Sequence, residues 1–203
     1  RSRGGGVARV KRRHRRVAVI GLDAAPSSLI LDRWLAHLPH LARLIGGGAS
    51  AVLRSCDPPI TVPAWACMLS SQDPGQLGIY GFRDRRSYAY DDQGIAHSRR
   101  IDRAMLWDAL AAHGCRSLLV GVPLTYPPPA VHGWVVSCFL TPSRRSPYAH
   151  PPELRDEIEE RFPDYTFDVS DFRSADRTAL AQRIRAKTEA HFRLARHLVG
   201  IRA

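Results

Sequence analysis

Short apolar runs alternate with segments of helical spacing along most of the chain. The run VAVIGL at residues 17–22 is continuous and rich in β-branched residues, which is typical of a buried parallel strand. Similar runs predict strands at residues 49–55, 116–123 and 133–139. Apolar residues spaced three and four apart predict helices over residues 26–38, 39–48, 62–71, 101–114, 151–162 and 175–200. Alternating strands and helices indicate an α/β fold with a mostly parallel sheet.

Proline and glycine mark where several of these elements begin and end. Pro39 suits the first turn of a helix, and glycines follow that helix at Gly46–Gly48. In DPGQLGIYGF (residues 73–82) the Pro-Gly pair predicts a turn, and the next two glycines, Gly78 and Gly81, predict close backbone approach. The side of the last helix that should face the core comprises Leu180, Ile184, Phe192, Leu194 and Leu198.

Two polar residues stand where a ligand could bind. Asp23 directly follows the first predicted strand, and open α/β sheets bind ligands beyond the carboxyl ends of their strands. Thr61 lies between Pro59 and Pro63 at the start of a predicted helix. Each residue could simply cap a helix. Alternatively, Thr61 could be a nucleophile directed at an anion, because a helix start presents unpaired N–H groups.

The positive charge of the chain is concentrated at its start. The net charge is +11, yet residues 1–16 hold eight of the 30 Lys and Arg residues and no acid, which leaves 22 basic against 19 acidic residues in the rest. We therefore expect a disordered basic leader at 1–16 and a folded part at 17–203. Such a leader could contact nucleic acid or an anionic membrane, but the balanced remainder predicts no specific nucleic-acid binding.

Cysteine usage and hydropathy bear on the cell compartment. The four cysteines, Cys56, Cys67, Cys115 and Cys138, show no CxxC spacing, so we expect reduced and mostly buried thiols. The longest apolar runs are too short for a transmembrane helix or a secretory signal. The sequence thus predicts a cytoplasmic protein without a membrane span.

Four features occur in order within residues 17–82: a strand ending in Gly-Leu-Asp23, LPHLARLIGGGA, PPITVPAW around Thr61, and DPGQLGIYGF. In this order they resemble the type I phosphodiesterase/nucleotide pyrophosphatase family of the alkaline phosphatase superfamily. Weaker likeness continues to about residue 165 through VGVPLTYPP, GWVVSCFLTP and YAHPPEL. The resemblance implies a three-layer α/β/α sandwich around a mostly parallel central sheet, as in alkaline phosphatase.

The resemblance also implies a chemistry. The family holds two divalent metals, with zinc as the expected ion, over a Thr or Ser nucleophile. Asp23 matches the metal-ligating Asp, and Thr61 matches the nucleophile, which itself binds metal. Metal coordination can convert a weakly nucleophilic hydroxyl into an alkoxide equivalent. The implied substrate is a small phosphoester or nucleotide-like molecule, and no substrate-binding residue follows from the match.

The second half of a family member supplies most of its metal ligands, and no Asp-His dipeptide occurs in this sequence. We therefore expect the N-terminal portion of a phosphodiesterase domain, truncated at its C-terminus, with the missing half acting in cis. By itself such a portion would hold at most one weak metal site and have little or no activity. Two alternatives remain: a sulfatase or phosphate-transferring enzyme of the same superfamily, or a non-catalytic fragment that binds anions or nucleic acid through its Arg-rich leader.

Overall fold

The computed structural model describes residues 16–85, 87, 89 and 91–202. Residues 1–15 of the predicted leader lie outside the described residues. Those described form six α-helices and five β-strands, together with short π- and 3₁₀-helical turns. The helices are α1 (Pro39–Gly46), α2 (Thr61–Ser70), α3 (Pro74–Leu77), α4 (Leu106–Ala112), α5 (Glu153–Arg161) and α6 (Arg177–Arg202). The strands are β1 (Arg83–Arg85), β2 (Gln93–Ile95), β3 (Ser117–Val120), β4 (Gly133–Val136) and β5 (Ala149–His150).

Most of the predicted helices are present. Helices α1, α2, α4, α5 and α6 lie within predicted segments, apart from a residue or two at their ends. The helix predicted at residues 26–38 is instead a π-helical segment at Ser28–Arg33 followed by a 3₁₀ turn at Leu35–His37. The strands predicted at 116–123 and 133–139 are confirmed as β3 and β4.

The two N-terminal strands predicted at residues 17–22 and 49–55 are wrong, because neither segment pairs with a strand among the described residues. Val17 is 84% exposed and Leu53 is 86% exposed. An apolar β-branched run favours a pleated, half-buried position, but a strand also needs a neighbouring backbone to complete its hydrogen bonds. The local pattern therefore indicates a preference that the tertiary structure does not satisfy.

Two small sheets are present in the described part of the chain. Strands β3 and β4 are parallel, with Ser117 opposite Gly133, and β5 joins β4 in antiparallel orientation. Strands β1 and β2 form a separate antiparallel pair. The mixed α/β character is thus confirmed, whereas the three-layer arrangement around one central sheet stays a prediction.

The main core lies between β4, α5 and the C-terminal half of α6. Its buried residues are Val136, Tyr148, Ala149, Leu154, Ile158, Phe162, Tyr165, Phe167, Leu194 and Leu198. Two residues predicted to face the core, Ile184 and Phe192, remain 48% and 44% exposed. Phe192 lies about a third of a turn from the stripe that contains Leu198, and Ile184 precedes the part of α6 that covers this core.

Arg144 connects the end of α5 to the loop that follows it. Its Nη1 donates to the carbonyl oxygens of Phe162, Pro163 and Tyr165 at 3.1, 2.8 and 2.9 Å. Its Nη2 donates to Glu159 Oε2 at 2.8 Å. One side chain thereby satisfies carbonyl groups that a helix leaves unpaired at and beyond its C-terminus.

The segment 73–82 differs from its prediction in two respects. Its Pro-Gly pair begins the short helix α3, where Asp73 and Gln76 form a reciprocal capping box. Gly78 ends that helix in the left-handed region, at φ +65°, which explains the glycine. A Cβ at Gly78 or Gly81 would meet nothing within 4 Å, so the predicted close backbone approach is wrong.

All four cysteines are free thiols, but the prediction that most of them are buried is wrong. Cys138 is buried, while Cys56, Cys67 and Cys115 are half-buried. Burial, a hydrogen bond with Cys56 and the charge of Asp73 raise the pKa of Cys67 to about 11. The Cys67 thiol on α2 is therefore protonated and weakly nucleophilic near neutral pH.

Candidate active site

The start of α2 presents the Thr61 hydroxyl. The preceding residue, Ile60, is extended (φ −109°, ψ 146°) and occupies the N-cap position, so the helix begins with Thr61 itself. Pro63 suits this first turn, because its fixed φ is helical and its missing N–H has no intrahelical role there. The two prolines around Thr61 thus restrict the backbone on both sides of the hydroxyl.

Asp23 receives two hydrogen bonds from α2. Thr61 Oγ1 donates to Asp23 Oδ2 at 3.1 Å, and Trp65 Nε1 donates to Asp23 Oδ1 at 3.0 Å. Thr61 and Trp65 are four residues apart, which places them on one face of the helix. The structure therefore joins the two residues that the sequence proposed as a site, across 38 positions of the chain.

Neither capping alternative matches these contacts. No side chain caps α2, and the Thr61 hydroxyl donates to a carboxylate rather than accepting from a backbone N–H. The first helical segment after Asp23 has Ser27 at its N-cap, again without a side-chain cap. Both side chains are thus directed at each other instead of at a helix end.

Asp23, Thr61 and Trp65 thus form one hydrogen-bonded cluster. Trp65 is the member that the pattern of the sequence does not identify. A Cβ at Gly21 would lie only 2.0 Å from Trp65 Cη2, so the indole rests against the backbone of residue 21. The glycine in the Gly-Leu-Asp run and the tryptophan in the PAW run were both visible in the sequence. Their contact was not predictable, because it spans two segments far apart in the chain.

The geometry of the pair suits proton transfer. A general base must lie within about 2.6–3.2 Å of the oxygen whose proton it takes, and Asp23 Oδ2 lies 3.1 Å from Thr61 Oγ1. Asp23 is exposed and Thr61 is half-buried, so a ligand can approach from solvent. The arrangement is that of a hydroxyl nucleophile beside a carboxylate acceptor.

A complete metal site is not formed by the residues that the structure describes. No group of three or more His, Cys, Asp or Glu side chains among them could hold a metal ion. Asp23 and Thr61 supply two oxygens, whereas zinc in proteins has about four ligands. The donor set present is therefore too small for either of the two expected ions.

Other histidine and aspartate side chains among the described residues take no part in this cluster's hydrogen bonds. His40 contacts Arg43 at 3.4 Å on the exposed face of α1. Asp164 forms an ion pair with Arg193 on α6, and the Asp168 carboxylate accepts from the N–H of Val169 at 2.8 Å. These contacts are those of ordinary surface residues.

Comparison with known sequences identifies one family. A sequence model of the family described as Type I phosphodiesterase / nucleotide pyrophosphatase matches residues 17–197. No curated protein and no solved structure matches the chain. Within the described residues, none of the helices has the length and apolar character needed to cross a membrane.

Proposed function

Because the chain belongs to the type I phosphodiesterase / nucleotide pyrophosphatase family, we propose that it hydrolyses a phosphodiester bond of a small nucleotide-like substrate, with Thr61 as the nucleophile. The observation that carries this proposal is the 3.1 Å hydrogen bond from Thr61 Oγ1 to Asp23 Oδ2 at the first residue of α2. An acceptor at this distance can take the hydroxyl proton as the oxygen attacks.

The proposed reaction has two steps. In the first, Thr61 Oγ1 attacks phosphorus, its proton passes to Asp23 Oδ2, and the bond from phosphorus to the leaving alcohol breaks. The leaving oxygen takes a proton from solvent, and residue 61 is left as a phosphodiester that still carries the second substrate group. In the second, water attacks the same phosphorus and the bond from phosphorus to Thr61 Oγ1 breaks. Oγ1 regains the proton held by Asp23, the attacking water loses a proton to solvent, and the phosphomonoester is released.

The helix start supports the binding of phosphate. The N–H groups of Thr61 and Val62 have no intrahelical acceptor, as in the first turn of any helix, and Pro63 has no N–H. Unpaired N–H groups and the positive end of the helix dipole favour an anion. The hydroxyl and these donors lie in the same turn, so a phosphate bound there would be next to the nucleophile.

The family is generally metal-dependent. Asp23 and Thr61 are proposed as the oxygen donors that this chain contributes to a divalent metal, with zinc as the first ion to test. The remaining ligands would have to come from residues other than those described, so neither step above is assigned to a metal. We accordingly propose low turnover for the 203-residue chain by itself.

A mass-spectrometric experiment tests the nucleophile even where turnover is low. The chain is incubated with an activated aryl phosphodiester, with and without Zn²⁺ or Mn²⁺, and digested to locate any phosphoryl adduct. We expect the adduct on Thr61, its retention on residue 61 in Thr61→Ser, and its loss in Thr61→Ala.

Thr188→Ala is the matched control, since it removes an exposed threonine hydroxyl from the middle of α6. It should be labelled like the unaltered chain. Hydrolysis that persists in Thr61→Ala, or a chain that shows neither adduct nor turnover, would contradict the proposal.

A further inference from the structure

The second hydrogen bond to Asp23 points to a residue with a role in the site. We propose that Trp65 is a positioning residue: its indole N–H holds the Asp23 carboxylate in the orientation that presents Oδ2 to the Thr61 hydroxyl. This inference rests on the proposed function, since it concerns the pair that would perform the chemistry. Trp65 itself does not touch the reacting atoms in this scheme and acts through Asp23.

Both oxygens of the carboxylate are bound to the same helix. Oδ1 accepts from Trp65 Nε1 at 3.0 Å, and Oδ2 accepts from Thr61 Oγ1 at 3.1 Å. The two donors lie one turn apart on α2, and the helix keeps their spacing constant. Two donors at a fixed spacing restrain rotation of the carboxylate in a way that the single bond to Thr61 could not.

The surroundings of Asp23 supply little other restraint. The residue is exposed, and the segment before it pairs with no strand among the described residues. A side chain on such a segment has access to several staggered rotamers. The orientation of the carboxylate therefore depends on its contacts with α2, and a partner that orients a functional side chain is commonly needed for full activity.

Gly21 explains how the indole reaches this position. A Cβ at residue 21 would lie 2.0 Å from Trp65 Cη2, 2.9 Å from Cζ3 and 3.0 Å from Cζ2. The benzene end of the indole thus rests on the backbone of Gly21, while its N–H reaches Asp23 two residues further on. Packing and hydrogen bonding are therefore separable: Trp65→Phe removes the donor but keeps a ring, and Gly21→Ala keeps the donor but displaces the ring.

Nuclear magnetic resonance of the isotope-labelled 203-residue chain tests the proposal directly. The couplings between the α- and β-protons of Asp23 report its χ1 rotamer, and the indole N–H signal of Trp65 reports its acceptor. In the unaltered chain we expect one Asp23 rotamer. In Trp65→Phe and in Gly21→Ala we expect averaged couplings and a shift of the Thr61 side-chain signals. Asp23→Asn should shift the Trp65 indole signal.

The matched control is Trp34→Phe, which alters a half-exposed tryptophan and should leave the Asp23 couplings unchanged. The methyl signals of Leu194 and Leu198 show whether each variant keeps the main core. If Trp65→Phe loses that core, Gly21→Ala decides the question.

A single Asp23 rotamer in a folded Trp65→Phe or Gly21→Ala chain would overturn the inference and leave Trp65 with a packing role only. The test is independent of the nucleophile experiment. If the Asp23 couplings average in the two variants but Thr61 of the unaltered chain is not labelled, the proposed function is contradicted while the positioning of Asp23 stands. If Thr61 of the unaltered chain is labelled but the two variants keep the same Asp23 rotamer, the role of Trp65 alone is overturned.

Discussion

The indole of Trp65 lies so close to the backbone of Gly21 that no side chain fits at residue 21. A Cβ there would lie 2.0 Å from the indole. The contact joins the segment before Asp23 to α2. It also places the indole N–H beside Asp23, so a packing contact and a hydrogen bond to the candidate site share one side chain.

Gly21→Ala should move the indole without unfolding the protein. None of the described residues from 16 to 60 is buried, so this segment can shift away from α2 at small cost to the core. We expect a changed tryptophan emission spectrum and a nearly unchanged free energy of unfolding. Gly46→Ala is the matched control, since a Cβ there meets nothing within 4 Å. It should leave the spectrum unchanged and stabilise by at most about 1 kcal/mol. Loss of the whole fold in Gly21→Ala would show that the segment contributes to the core.

Asp23→Asn should slow formation of the Thr61 adduct. The amide offers one acceptor oxygen in place of two, and that oxygen is a far weaker base than a carboxylate oxygen. Positioned general bases contribute roughly 10²–10⁴-fold to rate, so we expect a decrease of that order. The measurement is the rate of adduct formation by quenched-flow mass spectrometry. Asp102→Asn, at a side chain that is 79% exposed, should react at the original rate. An unchanged rate in Asp23→Asn would exclude Asp23 as the proton acceptor.

Arg144→Met should destabilise the chain strongly. The substitution removes the Arg144 donor from three carbonyl oxygens and from Glu159; Phe162 O keeps the N–H of Tyr165, and Glu159 keeps the hydroxyl of Tyr148. Hydrogen bonds to a charged group contribute about 1.5–3 kcal/mol. We expect the free energy of unfolding in urea at pH 7 to fall by about 3 kcal/mol. The neighbouring Arg145→Met, at an exposed side chain, provides the comparison and should cost little. Equal losses in the two variants would mean that the Arg144 contacts do not stabilise the native state.

His191 should make the protein less stable in mild acid. Burial, followed by the nearby positive charge of Lys187, lowers the pKa of His191 below its ordinary value. The unfolded chain therefore binds the proton more readily, so the contribution of neutral His191 is fully present above about pH 6.5 and is lost as pH falls below it. Between pH 7.5 and 5.5 the unaltered chain should lose more stability than His191→Gln, by at most about 1.4 kcal/mol for each pH unit. His113→Gln, at an exposed histidine, should retain the full pH dependence, and an identical dependence in His191→Gln would disprove the assignment.

Local preference and one buried face are enough to predict several elements of the fold. Helices α2 and α5 begin and end close to the prediction because prolines, acids and apolar spacing act within a few residues. Strands β3 and β4 were predictable since each is a short apolar run with a partner nearby in the chain. The Asp23–Thr61 pair was predicted only through a family resemblance, because no local pattern relates residues 38 positions apart.

Contacts between distant parts of the folded chain determine which of these preferences are satisfied. Residues 17–22 have the composition of a buried strand, but they lie exposed because no described strand pairs with them. The roles of Gly21, Trp65 and Arg144 were not predictable, because each depends on atoms brought together from distant segments. Hydrophobic spacing encodes which residues favour burial, whereas hydrogen-bond partners and close contacts are set by where the folded chain places its neighbours.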